Sequence, residues 1–267
     1  MGKRLGVIAG SGEFPIHVCQ RAREMGFLCV AAAIKGQADK PFARMADDIA
    51  WFEVHEIGNL IGFFKEKGVS EAVFAGKIDP LAVFKNEELQ NTLTALQGSE
   101  KKWTPADLIQ TAIEIFSAQG IAIEDPTPFI ASAYCEEGVL TETKPSADAE
   151  EAIRFGWDIA RKLADLDIGQ TVIVKNRAIV AVEGMEGTDK AILRAGELVG
   201  KGTIVVKVGR SSQDPRIDLP AVGLKTVESL VRAGGQALGF EAKSVPFFQK
   251  EKALSLANAH GLSIIAR

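Results

Sequence analysis

The feature that most constrains this chain is the alternation of short apolar runs with segments of helical apolar spacing, opened by a strand, a glycine turn and a helix. Leu5 to Ala9 is an apolar run closed by Gly10-Ser11-Gly12, and beyond it Pro15, Val18, Cys19, Ala22 and Met25 recur at the spacing of one helix face. Leu28 to Ile34, Ile49 to Val54 and Glu71 to Ala75 have the length and composition of further buried strands, with a helical stretch from Leu60 to Lys67 before the last. Such alternation predicts a mostly parallel, Rossmann-like α/β sheet with helices on its faces.

After Asp79 the pattern turns helical. Thr104 is a candidate cap, Pro105 suits the first helical position, and Leu108, Ile109, Ala112, Ile113 and Phe116 form one apolar face. Glu124 to Ser146 carries Pro126, Pro128 and Pro145 among short apolar stretches, which reads as an interdomain connection. We therefore expect two domains: residues 1–130, resembling a nucleotide-binding domain, and residues 131–267, a catalytic mixed α/β domain. In the second, Thr171 to Val174 and Ala178 to Val182 are separated only by Lys175-Asn176-Arg177, as in a hairpin, so its sheet cannot be purely parallel. Helices are expected over Asp148 to Leu163, Asp189 to Val199, Gly223 to Ala233 and Gln249 to His260, and strands over Thr203 to Val208 and Leu262 to Ala266.

Composition narrows the function classes. Apolar residues at 46% and charged residues at 25% describe an ordinary folded protein. The apolar runs are far shorter than the roughly 20 residues of a membrane span, and the N-terminus lacks the pattern of a signal peptide, so a cytoplasmic location is expected. A net charge of -4 gives no general attraction to nucleic acid, and a small anion is the expected partner. Cys19, Cys29 and Cys135 lack metal-ligand spacing and read as buried thiols. His17, His55 and His260 are isolated in sequence, and phosphate-loop, zinc-protease and nucleophile-elbow motifs are absent. Any metal should be a hard cation held by carboxylates, with Mg²⁺ the natural choice.

Four segments carry candidate chemistry. The amides of Gly10, Ser11 and Gly12, between strand and helix, suit a phosphate or nucleotide edge, although a tight turn alone also explains them. Ala75, Gly76 and Lys77 end a predicted central strand, where open α/β sheets bind ligands. Asp167 and Gln170 precede the hairpin, and Glu183, Glu186, Thr188 and Asp189 follow it in a glycine-bent turn. These crowded acids call for a cation or basic partner, while capping by Thr188 accounts for the last two residues. Lys207 and the loop Arg210-Ser211-Ser212-Gln213-Asp214-Pro215-Arg216-Ile217-Asp218-Leu219-Pro220 offer cations to a diphosphate and a carboxylate to a metal or water, or else form a solvated turn.

Taken in order, Leu5 to Pro15, Phe74-Ala75-Gly76-Lys77, Asp167-Ile168-Gly169-Gln170, Val180 to Glu183 with Glu186 to Asp189, and Arg216-Ile217-Asp218-Leu219-Pro220 resemble the LpxI family over nearly the whole chain. The resemblance implies a two-domain hydrolase of lipid A biosynthesis that uses Mg²⁺ to split UDP-2,3-diacylglucosamine into UMP and lipid X, with water directed to the sugar-side phosphorus. It implies that Asp218 is essential. On this basis Asp218, Asp189 and Glu186 are assigned as catalytic, and Asp218, Asp189 and Asp107 as metal ligands. Gly10, Ser11, Gly12, Ala75, Gly76, Lys77, Asp167, Gln170, Thr188, Lys207 and Arg216 are assigned to substrate. Asp107 also fits a capping box. Peripheral contact with the cytoplasmic face of the inner membrane and a homodimer are compatible with the resemblance. A non-enzymatic nucleotide-sugar-binding module, or a pyrophosphatase or transferase for another nucleotide sugar, are the alternatives.

Overall fold

Strands buried on both faces need apolar residues throughout, and β1 (Arg4–Ala9) and β2 (Leu28–Ile34) meet that demand, with each residue from Cys29 to Ile34 buried. They join β3 (Asp48–Phe52), β4 (Glu71–Ala75) and β5 (Ala122–Ile123) in a parallel sheet of order β3-β2-β1-β4-β5. In this computed structural model residues 2–79, 83, 86–97, 105–212 and 214–267 are described. The chain divides into two units: Met1–Ala131 with Asp214–Asp218, and Ser132–Gln213 with Leu219–Arg267.

In the first unit α1 (Phe14–Glu24) buries Pro15, Val18, Cys19 and Ala22. Met25, expected on that face, is exposed because the helix has already ended there. α2 (Ile57–Glu66) buries Leu60, Ile61 and Phe64, α3 spans Glu87–Gln97, and α4 (Pro105–Ala118) buries Ile113 and Phe116. The candidate cap Thr104 and the loop residue Gln213 lie outside the described residues. Strand order reverses between β1 and β4, so the loops leaving their C-terminal ends flank the position where doubly wound sheets take ligands. Sequence order alone puts Asp214–Asp218 in the second domain. The segment instead groups with the first unit, where Ile217 packs against the core that contains Phe64, Ile113 and Phe116.

The second unit carries a mixed sheet of order β6-β13-β11-β9-β7-β8, comprising β6 (Gly138–Val139), β7 (Thr171–Lys175), β8 (Ala178–Val182), β9 (Ile204–Lys207), β11 (Ala237–Phe240) and β13 (Ser263–Ala266). β7 and β8 form the predicted antiparallel hairpin. Asn176 and Arg177 both take positive φ, 49° and 60°, as a tight turn matched to strand twist requires. β9, β11 and β13 run parallel. Alternate strand residues point to opposite faces, and they separate into two cores. Val172, Val174 and Val206 pack with α5 (Ala147–Asp165), while Ile173, Val205, Leu238 and Ile264 pack with α6 (Thr188–Val199), α7 (Leu224–Arg232) and α8 (Lys250–Ala259). Ser146 caps α5 by accepting the Ala149 amide at 3.2 Å.

The two-domain α/β fold expected from the sequence is therefore present, with some elements beyond those predicted. β11 was not anticipated, although it sits inside the sheet between β13 and β9. It is short and interrupted by Gly239, where a Cβ would stand 2.9 Å from Cγ2 of Ile153 on α5. The stretch read as a connection also supplies β6, antiparallel to β13 at the sheet edge. β10 (Val222–Gly223) and β12 (Phe247–Phe248) form a separate two-stranded ladder.

Candidate functional site

At the strand-order reversal of the first unit, the two glycine-bearing loops bind each other. The Gly10 amide donates to the Ala75 carbonyl at 2.8 Å, and Ser11 and Lys77 exchange backbone hydrogen bonds of 2.8 and 3.1 Å. The Ser11 hydroxyl adds a bond to the Lys77 carbonyl at 2.9 Å. Side chains are excluded here: a Cβ on Gly10 would lie 2.5 Å from the Lys77 carbonyl oxygen, and one on Gly76, at φ 89°, 2.6 Å from that of Ser11. The Gly12 amide donates to the Asp39 carboxylate at 2.9 Å. The sequence suggested amides presented to a phosphate; in this arrangement those of Gly10, Ser11 and Gly12 are satisfied by protein, and a carboxylate already stands at the glycine turn. The Lys77 side chain is exposed.

The Asp214–Asp218 segment belongs to the same unit and is shaped by its first residue. Asp214 accepts the Arg216 amide at 3.0 Å and the Arg216 guanidinium at 2.7 to 3.2 Å, while its carbonyl accepts the Ile217 amide at 3.1 Å. The guanidinium holds the Asp214 carboxyl below its ordinary range, and that carboxylate raises Arg216 in return. With Ile217 anchored in the core, Asp218 is left exposed one residue later. Asp107 is exposed in the first turn of α4.

The second unit gathers more of the predicted residues, around the ends of β7, β8 and β9 and the start of α6. Lys207 is buried at the end of β9, and its ammonium donates to the Thr188 hydroxyl at 2.6 Å, which donates to Glu183 at 2.8 Å. Lys207 and Glu183 are also an ion pair at 3.7 Å. Thr188 was assigned to substrate, with helix capping as the alternative. Gly187, at φ 84°, occupies the cap position, and Thr188 is the first helical residue with its hydroxyl turned to this network. Gly169 permits the approach of the preceding loop, since a Cβ there would stand 2.0 Å from the Glu183 carbonyl oxygen. The next residue, Gln170, is buried and its carbonyl accepts the Val208 amide at 3.0 Å.

Around this network Glu186, Asp167 and Glu241 have basic partners. Glu186 accepts Arg194 at 2.5 Å and the Gly184 amide at 3.1 Å. Burial pushes its carboxyl up, but these partners prevail and hold it below the ordinary carboxylate range. Asp167, in the left-handed region at φ 58°, pairs with Arg210. Asp165 accepts the Ser211 amide and hydroxyl at 2.7 and 2.8 Å, and Arg161 ties Glu241 to the Gly209 carbonyl. Sequence reading missed Asp165, Arg161 and Glu241 because their partners lie at least 46 residues away. Asp189 lies in the first turn of α6 and lines an open groove with Leu193, Lys225, Glu228 and Arg232.

Of the assigned metal ligands, Asp107 and Asp218 fall in the first unit and Asp189 in the second. Among the described residues no three His, Cys, Asp or Glu side chains group closely enough to hold an ion. That does not fit a resident metal in a protein-built cage. Mg²⁺ is more often held by one or two carboxylates together with substrate phosphates.

Residues 4–133 match the LpxI N-terminal domain and residues 136–265 the LpxI C-terminal domain. A relative from Caulobacter vibrioides, UDP-2,3-diacylglucosamine pyrophosphatase LpxI, is 25% identical over 274 residues, covering 98% of this chain and 97% of that protein. Two solved structures that the chain resembles share less with it. The biotin carboxylase domain of 2-oxoglutarate carboxylase from Hydrogenobacter thermophilus is 12% identical, with 76% of this chain and 43% of that chain covered at a TM-score of 0.29. N5-carboxyaminoimidazole ribonucleotide synthetase from Thermotoga maritima is 17% identical, with 71% and 43% covered at 0.25. The chain spans less than half of either of these, and neither likeness bears on function.

Proposed function

The chain belongs to the LpxI family, and from that membership we propose that it hydrolyses the pyrophosphate of UDP-2,3-diacylglucosamine, releasing UMP and 2,3-diacylglucosamine 1-phosphate, lipid X, in lipid A biosynthesis. The observation that carries this reading is the match of both family domains in order, together with near-complete mutual coverage of a pyrophosphatase of that name.

Cleaving a diphosphate requires cations on its oxygens, an acceptor that orients water and donors for the departing phosphate. We assign Lys207, in the second unit, to these oxygens; in the first unit, Arg216 and the loop bearing Lys77 are assigned to substrate. Asp218 is the acceptor, because its carboxylate is exposed on a turn that is itself fixed by Asp214 and Arg216. Glu186 is bound to Arg194, which suits it to shaping the loop that presents Thr188 and Asp189. Mg²⁺, entering with the diphosphate, would be held by Asp218 or Asp189 and would neutralise phosphate charge. Its requirement is a proposal, as are a homodimer and a cytoplasmic location with peripheral membrane contact. No described helix is long and apolar enough to cross a membrane.

The test is hydrolysis of UDP-2,3-diacylglucosamine in ¹⁸O water. UMP and sugar phosphate should appear in equal amounts, with the label in the sugar phosphate. UDP as product would overturn the reaction assignment, and label in UMP would overturn the direction of attack.

A further inference from the structure

We propose that Glu183 and Thr188 are positioning residues for the reaction, acting only through Lys207. The proposal rests on the functional reading above, in which the Lys207 ammonium meets a phosphate oxygen of the substrate. Lys207 stands at the C-terminal end of β9, a place where open α/β sheets take ligands, and its side chain is only 7% exposed. Glu183, 13% exposed, faces it at 3.7 Å. Burying such a pair is weak evidence for a stabilising role, because desolvating both charges offsets much of their attraction. A use for the aimed ammonium accounts for it better.

The hydrogen bonds say how the aim is set. A hydroxyl has one proton, and that of Thr188 is committed to Glu183 at 2.8 Å, so its oxygen is free only to accept, which it does from Lys207 at 2.6 Å. Thr188 therefore has no proton to offer a phosphate directly. An ammonium has three N–H donors. One is fixed by Thr188, the charge is held by Glu183, and the remaining donors point where that geometry sends them. Thr188 is itself placed by Gly187, whose φ of 84° starts α6, and Glu183 by the close approach of Gly169.

The experiment is a double-mutant cycle on kcat/KM for UMP release from UDP-2,3-diacylglucosamine. Thr188→Val keeps the side-chain shape and removes the hydroxyl; it should lower kcat/KM by about 10- to 100-fold, the scale of misplacing a reacting group. Thr188→Ser should recover most of that loss. In a Lys207→Met background, adding Thr188→Val or Glu183→Gln should cost less than about twofold more, since the group they aim is gone. Thermal unfolding of each variant checks that folded protein is compared. Losses that multiply in the Lys207→Met background, or parental turnover by Thr188→Val, overturn the proposal while leaving the functional reading intact. A parent protein that releases no UMP overturns both.

Discussion

Asp218 and Asp214 sit four positions apart and are predicted to behave oppositely. Asp218 is exposed, so Asp218→Ala opens no core cavity, and its unfolding midpoint should stay close to the parent's. Its carboxylate matters as charge develops during attack, so kcat should fall by at least about 10²-fold, measured under saturating substrate. Asp214 carries structure instead. The Arg216 guanidinium bound to it lowers its folded value below the unfolded one. The stability it supplies is therefore complete above the unfolded value and lost as pH falls through the folded one. The difference in unfolding midpoint between the parent and Asp214→Asn should be steady near neutrality and shrink below about pH 4. A difference that grew on acidification would contradict the pairing. The sequence singled out this loop through its charges and prolines. It gave no sign that Asp214 closes a turn on Arg216 or that Ile217 reaches the core of the first unit, because neither contact has a periodicity.

Elements were legible where a run of apolar residues was long enough to bury itself. β1, β2 and β4 were found from such runs, and the hairpin from its short polar turn. β11 escaped because Ala237-Leu238-Gly239-Phe240 is short and contains a glycine, and the reason for that glycine lies in α5 rather than nearby in sequence. The capping alternative for Thr188 fails for a related reason. A hydroxyl before an acid at a helix start looks like a cap, and only the fold shows Gly187 there with Lys207 and Glu183 claiming the hydroxyl. The glycine turn of the first unit is a further case in which packing decides. Gly10→Ala would press a methyl group against the Lys77 carbonyl, at 2.5 Å before relaxation, with backbone on both sides. A loss of about 1–3 kcal/mol is expected, the cost of overpacking, together with faster exchange of the Ser11 and Lys77 amides. Unchanged exchange at both amides would show that the two loops do not depend on the glycine.

For the whole molecule, the family reading covers both units, while composition and charge served mainly to exclude other classes. Excess EDTA should abolish UMP release and added Mg²⁺ restore it, because a diphosphate brings charge that Arg194, Lys207, Arg210 and Arg216, each already paired with an acid, do not by themselves neutralise. Full activity in EDTA would remove the metal from the account. The central claim is narrower: this chain acts on a diacylated UDP-sugar. Its most direct measurement is kcat/KM for UMP release, compared between UDP-2,3-diacylglucosamine and UDP-N-acetylglucosamine under the same conditions. Binding energy from the remote acyl chains, realised in the transition state, should favour the diacylated substrate by at least about 10²-fold. Equal turnover of the two would contradict the account.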